Sequence, residues 1–94
     1  MTSRSAEVPR RLMRAVASGD VAAFSRLYDL LCVATYSIFR QHFPVQEHAD
    51  LAMNDMWISV WRNARALHSQ PGTTTDKIIA AAEARARVSM APAA

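Results

Sequence analysis

A chain of 94 residues with 51% apolar residues, only two glycines and four prolines has room for one domain and one core, and its composition favours helix over strand. Eleven basic side chains, ten of them arginine, against eight acidic ones give a formal charge of +3; this permits an anionic partner without requiring one. No stretch approaches the ~20 continuous apolar residues of a membrane span, and no apolar signal region follows Met1 to Arg10, so a non-membrane, all-α bundle of about four helices is expected.

In chain order, residues 1–9 are polar or small and are expected to form a flexible lead-in, with Pro9 suited to the first turn of a helix because its missing N–H would be unpaired there. The first helix then runs to about Ser18, with Leu12, Met13, Val16 and Ala17 at helical spacing and Arg10, Arg11 and Arg14 left for solvent. Gly19 stops it, and Asp20 caps the second helix by offering its carboxylate to unpaired N–H groups. Phe24, Leu27, Tyr28, Leu31, Ile38 and Phe39 carry the apolar stripe of that helix until Pro44 ends it.

The third helix is predicted from Gln46 to about Leu67. Met53, Met56, Trp57, Val60, Ala64 and Leu67 share one face, and Asp50, Asn54, Asp55, Ser59, Arg62 and Arg65 lie on or beside the other. Acids come first and arginines later, an order that the helix dipole alone would favour. The Ser69-Gln70-Pro71-Gly72 turn follows, and Thr73 to Thr75 can cap a fourth helix that ends near Met90. Its apolar side is thin, with Ile78, Ile79 and Ala82 facing the bundle, and residues 91–94 are expected to fray. The one domain therefore spans residues 10–90.

Candidate chemistry is sparse. His42 and His48 flank Pro44 without the spacing or the third ligand that a metal site needs, and a single cysteine, Cys32, excludes an intrachain disulfide and a cysteine-rich zinc site. Cys32 sits among apolar residues, where a thiol packs as a small hydrophobe, and a reducing cytoplasmic location fits. No nucleophile with a base, no carboxylate pair and no phosphate-binding glycine loop can be read, so the chain is expected to be a binding module rather than an enzyme, with no cofactor and no metal. Trp57 and Trp61, four residues apart, share a side of the third helix and read as core.

Two blocks carry a family resemblance. The run from Leu12 to Asp29, with its Gly19-Asp20 turn followed by Ala23-Phe24 and Leu27-Tyr28, and the run from Ala49 to Arg62, which ends in Val60-Trp61-Arg62, resemble region 2 of extracytoplasmic-function sigma factors of the sigma-70 family. With the turn after them, the blocks span about residues 10–88. The resemblance implies that the third helix docks on the β′ clamp helices of core RNA polymerase through Asp50, Asn54, Asp55, Ile58 and Arg62. It also implies that the following loop and fourth helix open and read the −10 promoter element, with Arg65, His68, Thr73, Thr74, Lys77 and Arg85 along the DNA path. Cytoplasmic location, and association with the nucleoid through polymerase, follow from the same resemblance.

The sequence also departs from the family pattern. Leu51 stands where an acid is usual, Asn54 and Asp55 are shorter than the usual Gln and Glu, Lys77 replaces a common Trp, and Glu83 and Ala84 occupy positions that are often basic. The last two changes remove attraction for phosphates. No block resembles the −35-reading helix-turn-helix of region 4, so a partner subunit supplying one, or an anti-sigma factor, is an expected partner. The alternative is a regulatory decoy that binds polymerase or an anti-sigma factor without reading DNA. A third reading is a small homodimer sealed by Leu51 and Ile58.

Overall fold

Apolar side chains recur every three or four residues between successive helix stops, and the computed structural model, which describes residues 4–90, is helical throughout these segments. Five helices and no strands occur among the described residues: α1 (Arg4–Ala17), α2 (Val21–His42), α3 (Gln46–Arg62), α4 (Ala64–Ser69) and α5 (Thr74–Met90). The all-α expectation holds, with five helices rather than four. Met1 to Ser3 and the expected frayed tail, 91–94, lie outside the described residues.

The first turn of the chain corrects one expectation. Helix α1 is already formed at Arg4, so Pro9 lies inside the helix and not at its start. A proline there removes one bond to the carbonyl a turn earlier, but the loss falls near the helix end, and the Pro9 ring is buried. Most of the stretch expected to be a lead-in is thus part of α1.

The α1–α2 corner follows from two residues. Gly19, at φ 93°, adopts the left-handed conformation that ends α1. Its N–H donates to Val16 O at 2.9 Å, and the Asp20 N–H donates to Ala15 O at 3.0 Å, which satisfies carbonyls that the helix end leaves open. Asp20 then caps α2, accepting from the Ala23 N–H at 3.0 Å. At the other end of α2, Phe43 is extended (φ −119°, ψ 105°), as a residue before proline prefers.

Helix α2 is the spine. Its 22 residues reach ~33 Å at 1.5 Å per residue, against a long molecular dimension of 41 Å. It packs against α1, α3 and α5. Ala23, Leu27, Leu31 and Phe39 are buried along it, and the buried Thr35 hydroxyl donates to Leu31 O at 2.8 Å and lies 3.4 Å from the Met53 sulfur. Arg26, Asp29 and Arg40 interrupt the apolar run of α2. By length and composition alone Val21–His42 could cross a membrane, with a mean hydropathy of 1.2, and 22% of that window is buried in this fold.

The predicted third helix breaks in two. At Asn63 the backbone leaves the helical region (φ −110°, ψ 20°), and its side-chain amide folds back to donate to Ser59 O at 2.9 Å and Ser59 Oγ at 3.2 Å. Short amides that bond their own backbone compete with helix continuation. The break turns α4 onto α1 and buries Ala64. Around Trp57, which is 3% exposed, the rings of Phe24 and Tyr28 meet the indole edge-on at 5.9 and 5.2 Å between centroids. The indole Nε1 is buried there without a hydrogen-bond partner, a cost that a core of this kind must absorb.

Helix α5 closes the bundle with small side chains. Ile78, Ala82 and Ala86, spaced by one turn each, are fully buried, and α5 packs mainly on α2. Its thin apolar stripe suffices because alanines leave little bulk between the helices.

Candidate functional site

The outer face of α3 collects the residues that the resemblance assigns to polymerase docking. Asp50, Asn54, Asp55, Ile58 and Arg62 are all exposed, while Ala49, Ala52, Met53, Met56, Trp57 and Val60 are buried on the opposite side. Two apolar side chains lie within this charged face, Leu51 at 64% exposure and Ile58 at 41%. Among the described residues, the side chains of Asn54, Asp55 and Arg62 have no internal hydrogen bond or ion pair. Asp50 does: Tyr36 donates its hydroxyl to Asp50 Oδ1 at 2.6 Å. That hydrogen bond raises the Tyr36 pKa above the ordinary 10.0, with loss of hydration and the Asp50 charge adding to it and Arg40 opposing it.

A second surface lies where α1 faces the α4–α5 corner. A groove of about 890 Å³ is lined on one side by Glu7, Arg10, Arg11 and Arg14 and on the other by residues 68–74 and Lys77. Arg11 is held by Glu7 at 2.9 Å, an exposed pair one turn apart. Arg10 and Arg14, one turn apart on the same helix, are exposed and have no acidic partner among the described residues. Lys77 is half-buried and used as a clasp. Its ammonium donates to Leu67 O at 2.7 Å, Gln70 O at 2.9 Å and His68 O at 3.3 Å, which caps the last turn of α4 and places a positive charge at its negative end.

The residues expected along a DNA path are only partly brought together. His68, Thr73, Thr74 and Lys77 line the groove. Of these, Thr74 is 4% exposed, and the Thr73 hydroxyl oxygen accepts the Asp76 N–H at 3.1 Å as the cap of α5. Arg85 lines a different cleft, of about 340 Å³, between α3 and α5, and Arg65 is exposed on α4 outside both. The groove arginines of α1 were placed with the solvated residues by the sequence, although the spacing of Arg10 and Arg14 already put them on one helix face.

The His42 ring nitrogen Nδ1 lies 2.9 Å from Ile38 O, His48 is exposed, and no cluster of metal-ligating residues occurs among the described residues. Cys32 is a half-buried free thiol, 3.6 Å from Asp29 O.

No family model, curated protein or solved structure matches the chain.

Proposed function

We propose that the chain is a sigma-factor-like module for transcription initiation, with a region 2-like fold, that docks on the β′ clamp helices of core RNA polymerase through the outer face of α3. The observation that carries the reading is the composition of that face. Asp55, Asn54 and Arg62 stand free of internal partners beside the exposed Leu51 and Ile58. Carboxylate and guanidinium groups without internal partners can form charge-assisted bonds across an interface, and apolar neighbours exclude water from them. The resemblance in the two sequence blocks supplies the identity of the partner, and the −10 element is the corresponding DNA ligand.

The test is capture of purified core polymerase by the chain, repeated with Asp55→Ala and Arg62→Ala. Capture by the unmodified chain and at least about a tenfold loss with either variant is expected, since removing one partner of a charged hydrogen-bonded pair at an interface costs about 2 kcal/mol or more. No capture by the unmodified chain overturns the proposal, and undiminished capture by both variants overturns the assignment of the docking face.

A regulatory decoy, binding polymerase or an anti-sigma factor without reading DNA, is favoured by one observation. Lys77 spends its ammonium on three carbonyls, and Arg85 lies in another cleft, so two cations of the expected DNA path do not face a common ligand.

A further inference from the structure

The chain's formal charge is concentrated in one place. Arg10, Arg11, Arg14 and Lys77 line the α1/α4–α5 groove with a single acid, Glu7, while the remaining seven basic and seven acidic side chains cancel. The excess of +3 is therefore the charge of the groove, and the low overall charge conceals a local positive field. Arg11 is partly neutralised by Glu7, and the Lys77 ammonium is tied to backbone carbonyls. Arg10 and Arg14 remain as the two guanidinium groups available to an outside anion.

The facing wall identifies the kind of anion. The other wall is lined by Ser69, whose hydroxyl donates to Ala66 O at 3.0 Å and can still accept, and by Gln70 and His68, whose amide and imidazole can donate to or accept from base edges. Guanidinium groups on one wall and neutral donors and acceptors on the other suit a ligand that has phosphates along one side and polar rings along the other. The groove, about 890 Å³ and partly open to solvent, is far larger than an isolated phosphate needs. A lipid surface fits poorly, because the groove walls supply only Ala6 and Pro71 as apolar side chains and no large hydrophobe to insert. A concave groove also suits a single strand, whose bases can turn inward, better than a convex duplex.

We infer that the groove between α1 and the α4–α5 corner binds single-stranded nucleic acid, with Arg10 and Arg14 of α1 holding its phosphates. This deepens the DNA limb of the proposed function by assigning to the first helix a phosphate contact that neither the fourth predicted helix nor the α3 face provides. Lys77 acts here as a positioning residue that holds the α4 end of the groove.

The experiment is fluorescence anisotropy of a labelled mixed-sequence single-stranded DNA, titrated with the full chain at several salt concentrations and repeated with the matching duplex. The double variant Arg10→Gln/Arg14→Gln is compared with Arg26→Gln/Arg87→Gln, which removes the same charge from exposed positions outside the groove. Circular dichroism checks that both fold. The groove variant is expected to bind at least about tenfold more weakly at low salt, and the slope of log affinity against log salt to shrink by about 1.4, from about 0.7 per lost phosphate contact. The control pair is expected to stay within about twofold, and the duplex to bind more weakly than the strand.

Equal losses in the two double variants, duplex binding as tight as single-strand binding, or no binding of the unmodified chain to the oligonucleotide would each overturn the inference. So would Arg10- and Arg14-dependent binding to anionic phosphatidylserine vesicles without oligonucleotide binding. Polymerase capture by the unmodified chain separates this inference from the reading it rests on. Lost oligonucleotide binding by the unmodified chain with capture retained removes the groove alone, whereas absent capture with strand binding retained removes the polymerase reading alone.

Discussion

The α3 face and the α1/α4–α5 groove are built on opposite principles. The α3 face is a single helix surface in which two acids, an amide, an arginine and two exposed aliphatic side chains lie within a few turns. The groove is assembled from α1 and an α4–α5 corner about sixty residues later, and its four cations face a single acid, Glu7. A mixed face favours specific docking on a complementary protein, while a groove of net positive charge favours a polyanion and should be far more sensitive to salt. The difference shows why net charge is a poor guide to function in a small domain, because cancelling charges elsewhere can hide the region that carries the field.

The largest expected effect comes from the scaffold that both surfaces share. Phe39 is fully buried on α2 and stacks with Phe43 at 6.4 Å between ring centroids. Phe39→Ala should destabilise the fold by about 3–5 kcal/mol, a large part of the roughly 5–15 kcal/mol typical of a domain. Denaturant unfolding measures the loss. Both binding activities should then fall together as the folded fraction falls. Loss of only one, with the fold intact, would mean that the two surfaces do not share this core.

A smaller change should divide the surfaces. Lys77→Met keeps most of the aliphatic stem but removes the ammonium that caps α4, at an expected cost of about 1.5–3 kcal/mol for charged hydrogen bonds. Hydrogen exchange should rise in α4 more than in α3, and strand binding should weaken while polymerase capture is kept, because α3 does not depend on the clasp. Equal exchange in α3 and α4, with unchanged stability, would show that Lys77 does not hold the groove together.

The two surfaces were not equally legible in the sequence. The α3 face could be read because its residues belong to one helix, where spacing fixes direction. The helix ends at Gly19, Asp20, Pro44 and Thr73 were legible for the same local reason, since caps and stops act over a few residues. The break at Asn63 was missed because the stripe of Trp57, Val60, Ala64 and Leu67 continues through it. What ends α3 is an amide folding back on Ser59, favoured once α4 can pack on α1. The groove was missed for a related reason. Sequence spacing showed that Arg10 and Arg14 share a face, but what lies across from them depends on how α1 meets a loop about sixty residues later. Thr35 was likewise not foreseen in the core, because its hydroxyl is satisfied by Leu31 O in its own helix.

The smallest expected effect reaches the α3 face alone. Tyr36 reaches from α2 to hold Asp50, and the hydrogen bond raises the phenol pKa above 10.0 in the folded chain. On raising the pH through this range the unfolded chain loses its Tyr36 proton first, so it binds fewer protons than the folded chain and stability falls. This contribution is therefore complete below about pH 9 and is lost as the pH climbs past the folded value. Tyr36→Phe removes it, so unfolding midpoints of the two proteins should differ by a constant amount below about pH 9 and converge as the pH climbs above the ordinary phenol value. A gap that stays constant across the range would show that the hydroxyl does not bind Asp50 in solution. At neutral pH the same variant frees both carboxylate oxygens of Asp50 for an outside partner, so polymerase capture should change while single-strand binding, which does not involve α3, stays as it was.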